Sequence, residues 1–211
     1  MSFFNDVAAV WVKYNAQILG GVGNTMLIAI VGTLIGLLIG LLNGIIRTIP
    51  QVKNKVGAAL MKVVNFLITA YVEVFRGTPM MVQAMIIFWG YAYANGGKQL
   101  ALIPAGIAIV SINTGAYITE IVRGGIISID KGQFEGAASI GMSHFQTMIY
   151  VVIPQALRNI LPSVSNEFVV NIKDTSVLNV IGVAELFYYT AMAAKNSYKI
   201  FASYVIACVI Y

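Results

Sequence analysis

The stretch DKGQFEGAASIGMSHFQ, residues 130–146, is the one long polar-tolerant connection between apolar runs, and it carries two helix-start signals. Asp130 with Gln133 three residues on reads as a capping box, in which a side-chain acceptor takes an orphan N–H of the first helical turn. Ser143 with Gln146 repeats the pattern. Gly141 lies just before the second start, where a glycine closing a helix takes positive φ without steric penalty. The spacing predicts helices over 131–140 and from 144 onward, meeting at a corner at Gly141 and Met142. The first is poor in bulk: Gly132, Gly136, Ala137, Ala138 and Ser139 hold nothing large. A small-residue helix can sit deep in another protein's groove, so the elbow is expected to dock into a soluble partner.

The chain around the elbow is apolar. Hydrophobic residues make up 59% of 211 and charged residues 10%, against about 25% charged in soluble domains. Mean hydropathy is +0.83. Such a chain cannot cover itself with charge, and lipid is its solvent. The net charge of +5 comes from cations beside apolar runs, which is a topology signal rather than a nucleic-acid one. Cys208 is the single cysteine, so no disulfide or multi-cysteine metal framework exists. No cleavable signal peptide is evident in residues 1–20.

Outward from the elbow, the chain is expected to alternate between spans and turns. Phe3, Phe4, Val7, Val10, Trp11, Tyr14 and Ile18 recur at helical spacing and predict an amphipathic, interfacial helix over residues 1–20. The membrane domain then covers 21–211. Its first span, 21–46, carries Gly32, Gly36, Gly40 and Gly44, a ladder that lets helix backbones approach. Arg47, Lys53, Lys55, Lys62 and Arg76 make the densest basic segment and place that side in the cytoplasm, with the N-terminus outside. Residues 56–75 carry Lys62, Asn65 and Glu73 and are expected to be interfacial or partly inserted. Gly77 ends that helix; Thr78 caps the next, with Pro79 at its first position. A second span follows over 79–94, an outer turn at Asn95-Gly96-Gly97, and a third span over 100–121. The fourth span, 147–171, is kinked by Pro154 and Pro162. A helix over 184–196 leads to a last span that begins near Tyr198 and stops at Tyr211, short of the ~20 residues needed to cross, so it reads as truncated.

Two polar stripes need partners, because polar groups facing lipid are costly. Asn113, Tyr117 and Glu120 share one face of the third span. Asn159, Ser163, Asn166 or Glu167, and Asn171 share one of the fourth. They line a solute path or bond to each other, with Arg123 beside Glu120 at i+3. For a zwitterionic solute, Glu120, Glu167 and Asp174 would meet an ammonium, and Asn113, Thr114, Ser163 and Asn171 a carboxylate. Lys173-Asp174 reads equally as a structural ion pair. No G-x-x-x-x-G-K-[ST] loop is present to cradle ATP, and no nucleophilic triad, so the chain is no enzyme by itself. His144, the only histidine, reads as a surface or partner contact rather than a metal ligand.

These residues resemble a known family. Glu135-Gly136-Ala137, then Gly141, then Ile153-Pro154, resemble the "EAA" loop of the permease subunits of ATP-binding-cassette importers. Val74 to Pro79, Tyr117 to Ile126, Leu161-Pro162 with Asn166-Glu167-Phe168, and Lys173 to Ser176 resemble the polar amino acid subfamily. The resemblance implies an all-α membrane protein with five spanning helices, the type I importer permease fold, and a cytoplasmic coupling helix. It implies a bacterial inner-membrane location, a second permease subunit, two ATPase subunits and an extracytoplasmic amino-acid-binding protein. ATP and Mg would bind the ATPases, and no cofactor this chain. Glu135, Gly136, Ala137, Ala138, Gly141, Met142 and Ser143 would couple to the ATPase. Arg76, Thr78, Pro79, Arg123, Pro154 and Pro162 would serve as gate or structural positions. Gly136 departs from the family's usual alanine. The rival expectations are an ATP-independent transporter or channel subunit, and a membrane assembly protein with no path.

Overall fold

The computed structural model describes residues 2–49 and 54–211; Lys53 of the basic segment lies outside them. The described residues are helical, with no strand. Among the described residues, nine α-helices run α1 (Phe3–Ile46), α2 (Lys55–Gly77), α3 (Met80–Ala94), α4 (Leu102–Ile127), α5 (Lys131–Ser139), α6 (His144–Thr147), α7 (Ile153–Asp174), α8 (Leu186–Ser197) and α9 (Ile200–Ile210). A π-helical turn, Met148–Val152, joins α6 to α7, and a 3-10 helix, Thr175–Ile181, follows α7.

The boundary expected near residue 20 is not a break. α1 runs 44 residues without interruption, about 66 Å at 1.5 Å per residue. Apolar residues cover both its predicted interfacial part and its predicted span, so nothing between them stops the helix. α2, expected to be interfacial or partly inserted, is with α1 and α4 long and apolar enough to cross a membrane. α3 and α9 are shorter apolar helices.

The chain forms two compact units, neither contiguous in sequence. The first gathers Met1–Thr33, Pro79–Val110 and Phe168–Tyr211; the second gathers Leu34–Thr78 and Ser111–Glu167. In the first unit, Ile28, Phe88, Ile109 and Leu178 centre one core, and Val10, Ile18, Leu186 and Ile206 centre another. Glu185 is fully buried there. Its carboxylate caps α8, accepting from the N–H of Phe187 (2.8 Å) and Tyr188 (2.7 Å), and accepts from the Tyr211 hydroxyl (3.0 Å).

Three of the four ladder glycines, Gly36, Gly40 and Gly44, lie in the second unit and pack closely there. A Cβ on Gly36 would lie 2.8 Å from Cβ of Thr114; on Gly40, 2.5 Å from Cβ of Ile118; on Gly44, 2.6 Å from Cβ of Val122. Both lists advance by four residues in the same sense, so α1 and α4 run parallel with backbones in close approach. Ile118, Val122, Ile126, Met148, Val152 and Ile160 continue this core toward the elbow.

Proline sets the local geometry of α7. Pro154 lacks an N–H and its ring crowds the carbonyl four residues back. The turn before it is widened to π geometry, with the Ile153 N–H donating to the Met148 carbonyl; π-helix occurs mostly as such single-turn bulges inside α-helices. Pro162 lies inside α7. The α2–α3 junction differs by one position from the expectation. Pro79 is itself the residue preceding the helix, its carbonyl accepting from the N–H of Val82 at 3.0 Å. The Thr78 hydroxyl donates back to the Val74 carbonyl at 2.7 Å, closing α2 rather than opening α3.

Candidate functional site

The elbow lies wholly within the second unit. Asp130 precedes α5 and accepts from the Gly132 N–H at 2.7 Å. The box expected with Gln133 is not made: the Gln133 N–H donates to the Asp130 backbone carbonyl at 3.0 Å, and the Gln133 side-chain amide oxygen accepts from Gln155 Nε2 at 3.1 Å and so anchors α5 to α7. The second box is complete. The Gln146 N–H donates to Ser143 Oγ (3.3 Å), and the Ser143 N–H donates to Gln146 Oε1 (2.9 Å). Between them, the Gly141 N–H donates to the Ala138 carbonyl and the Met142 N–H to the Ala137 carbonyl, the Schellman closure of a helix. It needs a left-handed residue, and Gly141 has φ +81°.

Burial differs among the residues expected to couple. Ala137 is 5% exposed and packs α5 onto its own unit. Met142 is half-buried. Glu135, Gly136, Ala138, Gly141 and Ser143 are exposed. Ile140 (77%) and Phe145 (71%) flank the turn as exposed apolar side chains. A Cβ on Gly136 would meet nothing within 4 Å, so the family's alanine fits there.

The residues of the two polar stripes take partners on several elements. The α4 stripe turns toward α2 and the end of α1: Asn113 Nδ2 donates to the Phe75 carbonyl at 3.3 Å, and the Arg76 guanidinium lies 5.3 Å from the centre of the Tyr117 ring. Glu120 is held by two arginines. Arg123 donates to one carboxylate oxygen (2.8 and 3.0 Å) and Arg47 pairs with the other. The expected partner Arg123 is therefore joined by one that sequence distance hid, 73 residues away. So held, Glu120 ties the chain at the end of α1 to α4. Thr114 is buried against the glycine ladder.

On α7, Asn159 Nδ2 donates to Ser128 Oγ at 3.3 Å, while Ser163 is exposed and Glu167 half-buried. In the first unit, Asn171 is buried and donates to Thr33 Oγ1 at 2.8 Å; Asp174 is half-buried and Lys173 exposed.

One feature of the second unit was not singled out from sequence. A cleft of about 390 Å³ is lined by Val72, Glu73, Arg76, Gly77 and Tyr117. Glu73 and Arg76, one helical turn apart on α2, put a carboxylate and a guanidinium on one opening. The i, i+3 spacing just before Gly77-Thr78-Pro79 was the available signal. No cluster of three or more metal-ligating side chains occurs among the described residues.

Comparison with known proteins agrees with this architecture. Residues 56–211 match the family model "Binding-protein-dependent transport system inner membrane component". The glutamine transport system permease protein GlnP of Escherichia coli (strain K12) is 42% identical over 124 residues, 59% of this chain and 57% of GlnP. The L-cystine transport system permease protein TcyB of Bacillus subtilis (strain 168) is 40% identical over 148 residues, 70% of this chain and 62% of TcyB. The matched stretch thus spans less than two thirds of either relative. The crystal structure of an amino acid ABC transporter with histidines superposes with a TM-score of 0.85 at 34% identity, covering 100% of this chain and 91% of that one. An inward-facing MetNI methionine ABC transporter shares the fold at TM-score 0.72 and 18% identity, over 92% of this chain and 89% of that one. With its spanning-length helices, its glycine-ladder packing and its capped elbow, the chain belongs to the binding-protein-dependent transport system inner membrane components.

Proposed function

We propose that this chain is the membrane-spanning permease subunit of an ATP-driven importer of polar amino acids, with residues 130–146 as its coupling elbow. The observation that carries the reading is the elbow's surface. Ile140 and Phe145 stand exposed on either side of the Gly141 turn, while Ala137, the Schellman closure and the Gln133–Gln155 bond fix the turn to the rest of its unit. A rigid, capped knuckle with an apolar tip suits force transmission from a soluble partner. The partner supplies ATP, Mg and hydrolysis; a second permease subunit and an extracytoplasmic binding protein complete the importer.

The parallel run of α1 and α4 supports an N-terminus outside in this reading. If α4 delivers the chain to a cytoplasmic elbow, α1 crosses in the same direction, and the N-terminus starts outside. Arg47 and Arg123, at the elbow-proximal ends of these helices, agree with the positive-inside rule.

A zwitterion must be answered by one anion and one cation. The Glu73–Arg76–Tyr117 cleft offers both, and relatives named for glutamine and cystine transport favour an amino acid cargo. Closure of the ATPase pair would drive the elbow and re-aim the α7 segment, whose π turn and two prolines supply the bend. Any ligand that biases such a two-state element must bind its two states unequally.

The test is Glu135→Lys in the reconstituted complex. Charge reversal on the exposed face of α5 is expected to leave ATP hydrolysis running while amino acid uptake falls at least tenfold. Uptake coupled to hydrolysis as in the wild type would discard the assignment of this elbow.

A further inference from the structure

We infer that the cleft beside the elbow binds the headgroup phosphate of an anionic phospholipid. The cleft, about 260 Å³, opens between the end of α4 and the α5–α6 corner. Arg47, Lys131 and His144 line it together with Ile126, Ile127 and Phe134, and no carboxylate is among the lining residues. Glu120 and its two arginines leave one positive charge over beside it. Arg47 uses one nitrogen on Glu120 and keeps further N–H donors of its fixed fork. Lys131 adds a mobile ammonium, and His144 a ring N–H.

The walls decide between a lipid and a small anion. Free phosphate needs cations and donors but gains nothing from isoleucine and phenylalanine. A phospholipid uses both. Ile127, 63% exposed at the end of a spanning-length helix, offers the apolar track along which an acyl chain leaves the cleft. Basic pockets at the cytoplasmic ends of spanning helices are suited to anionic headgroups, each cation near the surface contributing about 1 kcal/mol. Because Lys131 and Phe134 belong to α5 and His144 to α6, a bound headgroup would bridge the elbow to α4 and α1. Lipid composition would then set how firmly the elbow is held.

The experiment reads binding rather than transport, so it fails independently of the importer assignment. The transporter complex is released from nanodiscs of phosphatidylcholine doped with phosphatidylglycerol, and retained lipid is counted by native mass spectrometry. The wild type is expected to keep phosphatidylglycerol selectively. Lys131→Gln should lower that retention about fivefold, one cation's worth, and Lys131→Arg should preserve it. Lys62→Gln, which removes an exposed cation outside the cleft, should leave it unchanged. Unaltered retention in Lys131→Gln overturns the proposal, as does an equal loss in Lys62→Gln. Displacement of the lipid by excess inorganic phosphate would reassign the cleft to a small anion and likewise overturn it.

Discussion

Replacing Gly40 by alanine adds one methyl group where α1 meets α4. The new Cβ would lie 2.5 Å from both Cβ and Cγ2 of Ile118 and 2.9 Å from its carbonyl carbon. Two of those three atoms are fixed to the α4 backbone, so no rotamer change clears them, and the helices must separate. Overpacking of this kind costs roughly 1–3 kcal/mol, and a clash against backbone belongs at the upper end. Alanine returns about 1 kcal/mol of helix propensity, leaving a net destabilisation of about 2 kcal/mol. Unfolding of the assembled transporter by dodecyl sulfate, followed by loss of helical circular dichroism, reads the change. Gly23→Ala is the internal control: nothing lies within 4 Å of its Cβ, so it should be neutral or stabilising. Gly125→Ala gives a second contrast. Its main obstacle is the Cγ2 methyl of Ile160, with the next atoms at 3.7 Å, so adding Ile160→Ala should relieve that clash. Ile118→Ala should not rescue Gly40→Ala, because Cβ and the backbone remain. A Gly40→Ala midpoint equal to or above wild type, or full rescue by Ile118→Ala, would refute the close parallel packing of α1 and α4.

Further outcomes follow from the elbow and its ion pairs. Gly141→Ala forces a side chain into left-handed backbone and is expected to cost about 1–2 kcal/mol, read as faster proteolysis at the elbow in the intact complex. Gly136→Ala, on an exposed helical position with open space, should slow the same proteolysis by stabilising α5 up to about 1 kcal/mol. Ser143→Ala removes half of the complete capping box and should cost about 1 kcal/mol. Glu120→Gln leaves Arg47 and Arg123 without their shared carboxylate and should destabilise by on the order of 3 kcal/mol. The double variant with Arg47→Gln should lose less than the two single losses added together, which a double-mutant cycle in dodecyl sulfate would measure.

The parts legible in the sequence are those decided by near neighbours. Ser143 and Gln146 form their box because both partners lie within one turn. Gly141 takes its positive φ because the closure of α5 demands it locally. The ladder of Gly36, Gly40 and Gly44 announces a packed face because period-four spacing survives any tertiary arrangement. What the sequence hid depends on partners far along the chain. Gln133 leaves its expected box for Gln155, Glu120 takes Arg47 from another helix, and the α4 stripe turns to Phe75 and Arg76. Neither could the pattern show that α1 continues through residue 20, since aromatic and aliphatic residues at helical spacing read alike whether a helix ends or continues. Ala137 looked like part of a docking face because small residues mark close approach without saying to whom. Glu73 and Arg76 are one helical turn apart, but nothing local to α2 shows that they share an opening with Tyr117 of α4.

In the proposed importer, the tip of the elbow touches the ATPase. That contact is tested most directly by single cysteines placed at Ile140 and Phe145 in a Cys208→Ser background, since Cys208 is itself exposed. Oxidative cross-linking to cysteines introduced around the groove of the co-purified ATPase is then scored on gels. Cross-links from both positions, with none from Lys98→Cys in the turn between α3 and α4, are the expected result. Cross-links from Lys98→Cys with neither elbow position reacting would contradict the account.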